Sequence, residues 1–128
     1  MTSQTDLPAV PAAEFRQRWK PVLSRTTNDH VVQVISRNRR PLAVLVPAFL
    51  HAMALRTAPV EAASVRVLSS SDARGSVSQV LTDVKEHGVH HVIAGDDYHL
   101  VALVPYTWFE AHVRPLERLL PPPPSDLS

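Results

Sequence analysis

The chain repeats itself. Displaced by 58 positions without a gap, residues 12–56 lie over residues 70–114 with 11 identities in 45 positions. Arg16 falls on Arg74, Val22 and Leu23 on Val80 and Leu81, Val31 on Val89, and Val34 and Ile35 on Val92 and Ile93. Leu42 falls on Leu100, Leu45-Val46-Pro47 on Leu103-Val104-Pro105, and Arg56 on Arg114. Most of these are apolar positions of the kind a core holds, so the match reports a repeated packing plan. Each copy has roughly 50 residues, a size at which a lone core is marginal, and the copies are expected to pack on each other or on a second chain.

Copy two gives the clearer pattern. Val65 to Leu68 reads as a short strand, and Ser69-Ser70-Ser71-Asp72 supplies helix-capping chemistry. Val77, Val80, Leu81 and Val84 follow at the spacing of one helical face, and Gly88 suits the positive φ that ends a helix. Val89 to Ala94 and Leu100 to Val104 read as strands around the turn Gly95-Asp96-Asp97. A closing helix runs over Tyr106 to Leu120, where Pro115 predicts a kink or two shorter helices.

Copy one follows the same plan. Phe15, Trp19, Val22 and Leu23 form the helical face, and Pro21 predicts the start of a second short helix. Its strands are Val31 to Ser36 and Leu42 to Val46, joined by Arg37-Asn38-Arg39-Arg40-Pro41, and its closing helix begins at Pro47. The opening strand, around Leu7 to Val10, is weakened by Pro8 and Pro11. The expected division is a basic module over 1–56, a linker over 57–64, an acidic module over 65–120 and a proline-rich tail over 121–128.

In order and spacing these segments resemble the Phd/YefM family of DNA-binding antitoxins. Ala13-Glu14-Phe15-Arg16 and Ser71-Asp72-Ala73-Arg74 match its helix opening, and Leu42 to Pro47 and Leu100 to Pro105 match its last strand. The resemblance covers residues 12–56 and 65–114. It implies an α+β fold in which two modules, each a short antiparallel sheet plus helices, pack as an intramolecular pseudo-dimer. It also implies repression of the chain's own operon and neutralisation of a partner toxin. Arg16 and Arg74 stand at the family's helix-start arginine, and Arg37 stands at the arginine that ends its middle strand; copy two has Gly95 there.

Charge divides the copies. Residues 12–56 carry eight cationic side chains against Glu14 and Asp29, a formal +6, whereas residues 70–114 carry three against six acids, a formal −3. Clustered cations bind nucleic acid because neutralised phosphates release counterions, and arginine grips phosphate or a guanine edge with two donors. With the resemblance, this makes Arg16, Arg37, Arg39, Arg40 and Arg74 the expected DNA contacts. The acidic copy is either a structural partner or a surface for a basic one, a toxin or copy one of a second chain. Trp108, Phe109, Leu116, Leu119 and Leu120 form the largest apolar cluster outside the strands, for core or for a toxin.

Enzymatic and metal chemistry find little support. Capping accounts for the serine run and a turn for Asp96 and Asp97, and Gly75, Gly88 and Gly95 make no phosphate loop. Five of seven histidines fall in copy two, yet His90 and His91 are adjacent in a strand and point to opposite faces. No enzyme, cofactor or metal is expected.

No apolar run approaches the ~20 residues that cross a bilayer. Residues 1–6 lack the order of a signal peptide, and there is no cysteine, all of which fits a cytoplasmic protein without membrane contact. The expected partners are operator DNA, a toxin and a second copy of the chain. The alternative is a protein-interaction or assembly module that binds neither DNA nor toxin.

Overall fold

A computed structural model describes residues 7–95 and 99–119. The residues 96–98 expected at the second turn, Leu120 and the proline-rich tail lie outside the described residues. Copy one comprises β1 (Ala9–Pro11), α1 (Ala12–Gln17), α2 (Trp19–Asp29), β2 (Gln33–Arg37), β3 (Arg40–Pro47) and α3 (Ala48–Thr57). Copy two comprises β4 (Val65–Ser69), α4 (Ser70–Gly75), α5 (Val77–His87), β5 (His90–Ala94), β6 (His99–Val104), α6 (Tyr106–Trp108), a π-turn over Phe109–Val113 and α7 (Arg114–Leu119). A 3-10 turn, Ala62–Ser64, lies between them.

The fold is α+β, with the six strands of the described residues in one sheet of order β1-β2-β3-β6-β5-β4. β3 and β6 join the halves antiparallel, with Leu45 opposite Leu103, its own equivalent 58 positions on. The expectation of short antiparallel sheets needs correction. β1 runs parallel to β2 and β4 runs parallel to β5, because a helical crossover separates the strands of each pair.

Alternation along the strands divides two cores. Ile35, Ala43, Leu45, Ile93, Val101 and Leu103 face α1, α2, α4 and α5; Val34, Val44, Val46, Val92, Ala102 and Val104 face α3 and the closing helix. Both cores draw on both copies. The ladders shift register after Ile35 and after Ile93, and the unpaired residues are Leu42 and Leu100, which the repeat aligns. Each leucine packs partly buried on the first core.

Three local readings are refined. Copy two breaks its helix at Ser76 (φ −132°, ψ 37°), as copy one does at Arg18, so Pro21 accompanies the break without being needed for it. Around Pro115 the closing helix is divided into α6 and α7 by a π-turn over Phe109–Val113. A proline ring crowds the carbonyl one turn back and offers no N–H, which a π-turn accommodates; α3, lacking a proline, has no such turn. The opening strand is only three residues long, and Pro11 is tolerated because β1 is an edge.

Gly88 ends α5 at φ 68°, with Val89 N–H reaching the Asp83 carbonyl; His30 ends α2 at φ 58°, with Val31 N–H reaching the Arg25 carbonyl. The same cap is thus built once on glycine and once on histidine. A Cβ at Gly88 would meet nothing within 4 Å, so substitution there tests backbone conformation alone. Gly88→Ala should lower the unfolding free energy by about 1 kcal/mol, and His30→Gly should raise it by up to that amount. Chemical denaturation checks both.

Candidate nucleic-acid interface

All five arginines expected at DNA are exposed, but they do not form one cluster. The β2–β3 connection is a two-residue hairpin turn with Asn38 and Arg39 both at positive φ (54° and 65°), the type I′ geometry that matches strand twist. That turn sets Arg37 directly opposite Arg40. Since Ile35 faces the first core, alternation places Arg37 and its cross-strand partner Arg40 on the side of the sheet covered by α1 and α2. Two like charges directly opposite one another destabilise a ladder, and an anion between them relieves this.

Arg39 stands apart. It lines a groove of about 510 Å³ with Leu7, Pro11, Val34 and Tyr106, on the other side of the sheet. Its left-handed backbone is a conformation that costs a non-glycine residue roughly 1–2 kcal/mol.

Arg16 projects from α1 onto the other copy, its Nη2 donating to Ser78 Oγ at 2.6 Å. Arg74 of α4 lines a cleft of about 340 Å³ with Trp19, Lys20, Ser69, Ser70 and Gly95. The copies are tied there by Trp19 Nε1, which donates to Ser70 Oγ at 2.9 Å. Nothing in the sequence pattern marks Lys20, since its place in the cleft depends on contact between copies.

The apolar cluster expected to be core or partner surface divides. Phe109 is 0% exposed in the second core and is unavailable to a partner, whereas Leu119 is 80% exposed. Leu116 is half-buried on that core. Trp108, also half-buried, packs on two histidines, with ring centroids 4.4 Å from His90 and 5.8 Å from His51. Arg114, nearly buried, donates to both Glu110 carboxylate oxygens, and this pairing holds Glu110 below its usual pKa.

The two histidines form a buried pair, His51 Nε2 lying 3.0 Å from His90 Nδ1. One ring donates and the other accepts, so the bond requires that they are not both protonated. The repeat sets His51 on Phe109 and His90 on Val32, both core residues. Two histidines aligned with apolar core positions were the signal available in the sequence. His91, as expected, points to the opposite face, where Nε2 lies 3.3 Å from Asp83 Oδ2. A hydrogen bond from Gln79, then His91 and Arg66, hold the Asp83 carboxyl below its usual value against the opposing effect of burial. Among the described residues no group of three or more metal-ligating side chains converges.

Burial pushes His90 from the ordinary 6.5 down to about 4, and it lowers His91 as well, with Asp83 opposing. Below pH 6.5 the unfolded chain therefore binds protons that the folded chain refuses, and stability should fall as pH drops from 6.5 toward 4. The double substitution His51→Phe with His90→Val copies the apolar pair of the other half. It should flatten that decline in urea midpoints measured at pH 7, 6 and 5, with His91 leaving a residual slope.

Among the described residues no helix is long and apolar enough to cross a membrane. Comparison with protein-family models, with curated proteins and with solved structures finds no match.

Proposed function

We propose that the chain is a DNA-binding antitoxin of the Phd/YefM kind, two modules joined as an intramolecular pseudo-dimer, that represses its own operon and neutralises a toxin. The observation that carries the DNA-binding part is the exposed Arg37–Arg40 cross-strand pair, on the side of the sheet that α1 and its Arg16 cover. The palindromic strand order supports the pseudo-dimer, because it places Arg16 and Arg74 at equivalent positions about Leu45 and Leu103. The toxin enters through the family resemblance. Exposed Leu119 with half-buried Leu116 on α7 is where we would look for it.

A second reading, an assembly module without DNA, is favoured by the apolar groove beside Arg39. The two separate in one experiment: titration onto labelled DNA from upstream of the gene, at two salt concentrations, with unrelated DNA as competitor. Tight, salt-sensitive binding that survives competition supports the repressor; its absence leaves the assembly module.

The arginines of the turn make unequal contributions in this reading. Arg37→Ala with Arg40→Ala should weaken operator binding and reduce the slope of log K against log salt by about 1, for the one phosphate the pair would hold between them. Arg39→Gly should leave that slope unchanged and raise stability by up to about 1 kcal/mol, since glycine takes the left-handed turn position freely. A slope that falls equally in both variants would place Arg39 on the DNA.

A further inference from the structure

We infer that the cleft between the copies, formed by Lys20 and Arg74, is a second phosphate-binding site for the DNA backbone, standing in for the arginine that copy two lacks at Gly95. This rests on the DNA-binding reading and extends it to the half of the molecule whose net charge opposes it.

The repeat makes the substitution visible. Arg74 is equivalent to Arg16, Gly95 to Arg37, and Lys20 to Ser78. On one side, Arg16 lies against Ser78 of the other copy, and Arg37 supplies the second cation of that half. On the other side, Arg74 shares its cleft with Gly95, which brings no charge, and with Lys20, which does. By the repeat the matching sets are Arg16, Arg37 and Ser78 on one side and Arg74, Gly95 and Lys20 on the other, so each set holds two cations, the second drawn from its own hairpin in one and from the partner copy in the other. The sum over copy two, −3, conceals this because Lys20 is counted with copy one.

The chemistry of the cleft suits a phosphate. Ser69 Oγ accepts from the Asp72 N–H at 3.0 Å, and Ser70 Oγ accepts from Trp19 Nε1 at 2.9 Å. With their oxygens already engaged as acceptors, both hydroxyls keep a proton to donate to an anion. Lys20 adds a point charge and Arg74 a two-donor fork. Among the described residues no acidic side chain lines the cleft. With a volume of about 340 Å³, it has room for a phosphate.

The test is operator binding by Lys20→Ala, Arg74→Ala and the double variant, with the exposed Lys85→Ala as the charge-matched control and urea midpoints to verify folding. Each single variant should weaken binding by about tenfold, on operator and unrelated DNA alike, and lower the salt slope by about 1. The double variant should weaken binding by less than the product of the two single effects, because both side chains hold one phosphate. If wild type binds DNA but both variants behave like Lys85→Ala, the cleft is not a DNA site and the repressor reading survives. If wild type binds no DNA, both fall. Inorganic phosphate titrated at constant ionic strength separates the remaining source. A millimolar response of Trp19 fluorescence that Lys20→Ala abolishes, with DNA binding unchanged, would make the cleft a site for free phosphate and overturn the inference.

Discussion

The pairing of β3 with β6 is the interaction on which the rest depends. It sets Leu45 against Leu103 and flanks them with Val44 opposite Val104 and Val46 opposite Ala102, all fully buried. Separated there, each half would keep three strands whose inner edge offers unpaired N–H and C=O groups and whose two faces are each half uncovered. Such an edge is a site of uncontrolled pairing as well as of reduced stability. Joined, the described strands form one sheet with β1, three residues long, at one edge and β4 at the other. The placements that cross between the copies follow from this join. It brings Arg16 to Ser78, Trp19 to Ser70 and Lys20 to Arg74, neighbours that no single copy brings together.

Much of this was legible in the residues. The strand pairs, the glycine cap at 88 and the helical rhythm of Val77, Val80, Leu81 and Val84 all came through, because each depends on local geometry. The break at Ser76 was hidden for a physical reason. Ala73, Val77, Val80 and Val84 are all buried, so the interruption keeps the apolar face in phase and leaves no gap in the pattern. The parallel pairing of the outer strands was also out of reach. Alternation says that Val65 to Leu68 is a strand but not which neighbour it runs beside, or in which direction.

The candidate site divides along the same line. Exposure of the arginines was readable from their charge; their grouping was not, because it turns on a two-residue loop. With Asn38 and Arg39 alone at the apex, Arg37 and Arg40 face each other and Arg39 is carried to the other side of the sheet. One more residue in that loop would have redistributed all three. Lys20 was invisible for a different reason: its significance comes from a residue 54 positions away, in the half to which it does not belong.

The same join explains why the halves need not be alike inside. A module that paired with its own kind in another chain would place Leu45 opposite a second Leu45, and the apolar match would be as good as in the native sheet. The buried polar groups would not match. By the repeat, His51 would then meet Val32 and His90 would meet Phe109, in place of the native hydrogen bond between the two imidazoles. Leaving a buried ring nitrogen without that bond costs about 1–3 kcal/mol for each histidine, and a twofold contact would incur the cost twice. The native arrangement gathers both histidines at one of the two equivalent crossings and leaves Val32 and Phe109 to the other, where both are buried among apolar neighbours. Hydrophobic matching therefore drives the halves together without choosing between them, and the histidine pair supplies the choice. The pair favours first copy against second, and so a sheet with two differently charged halves in a fixed order, an asymmetry that two identical modules in a dimer would not have.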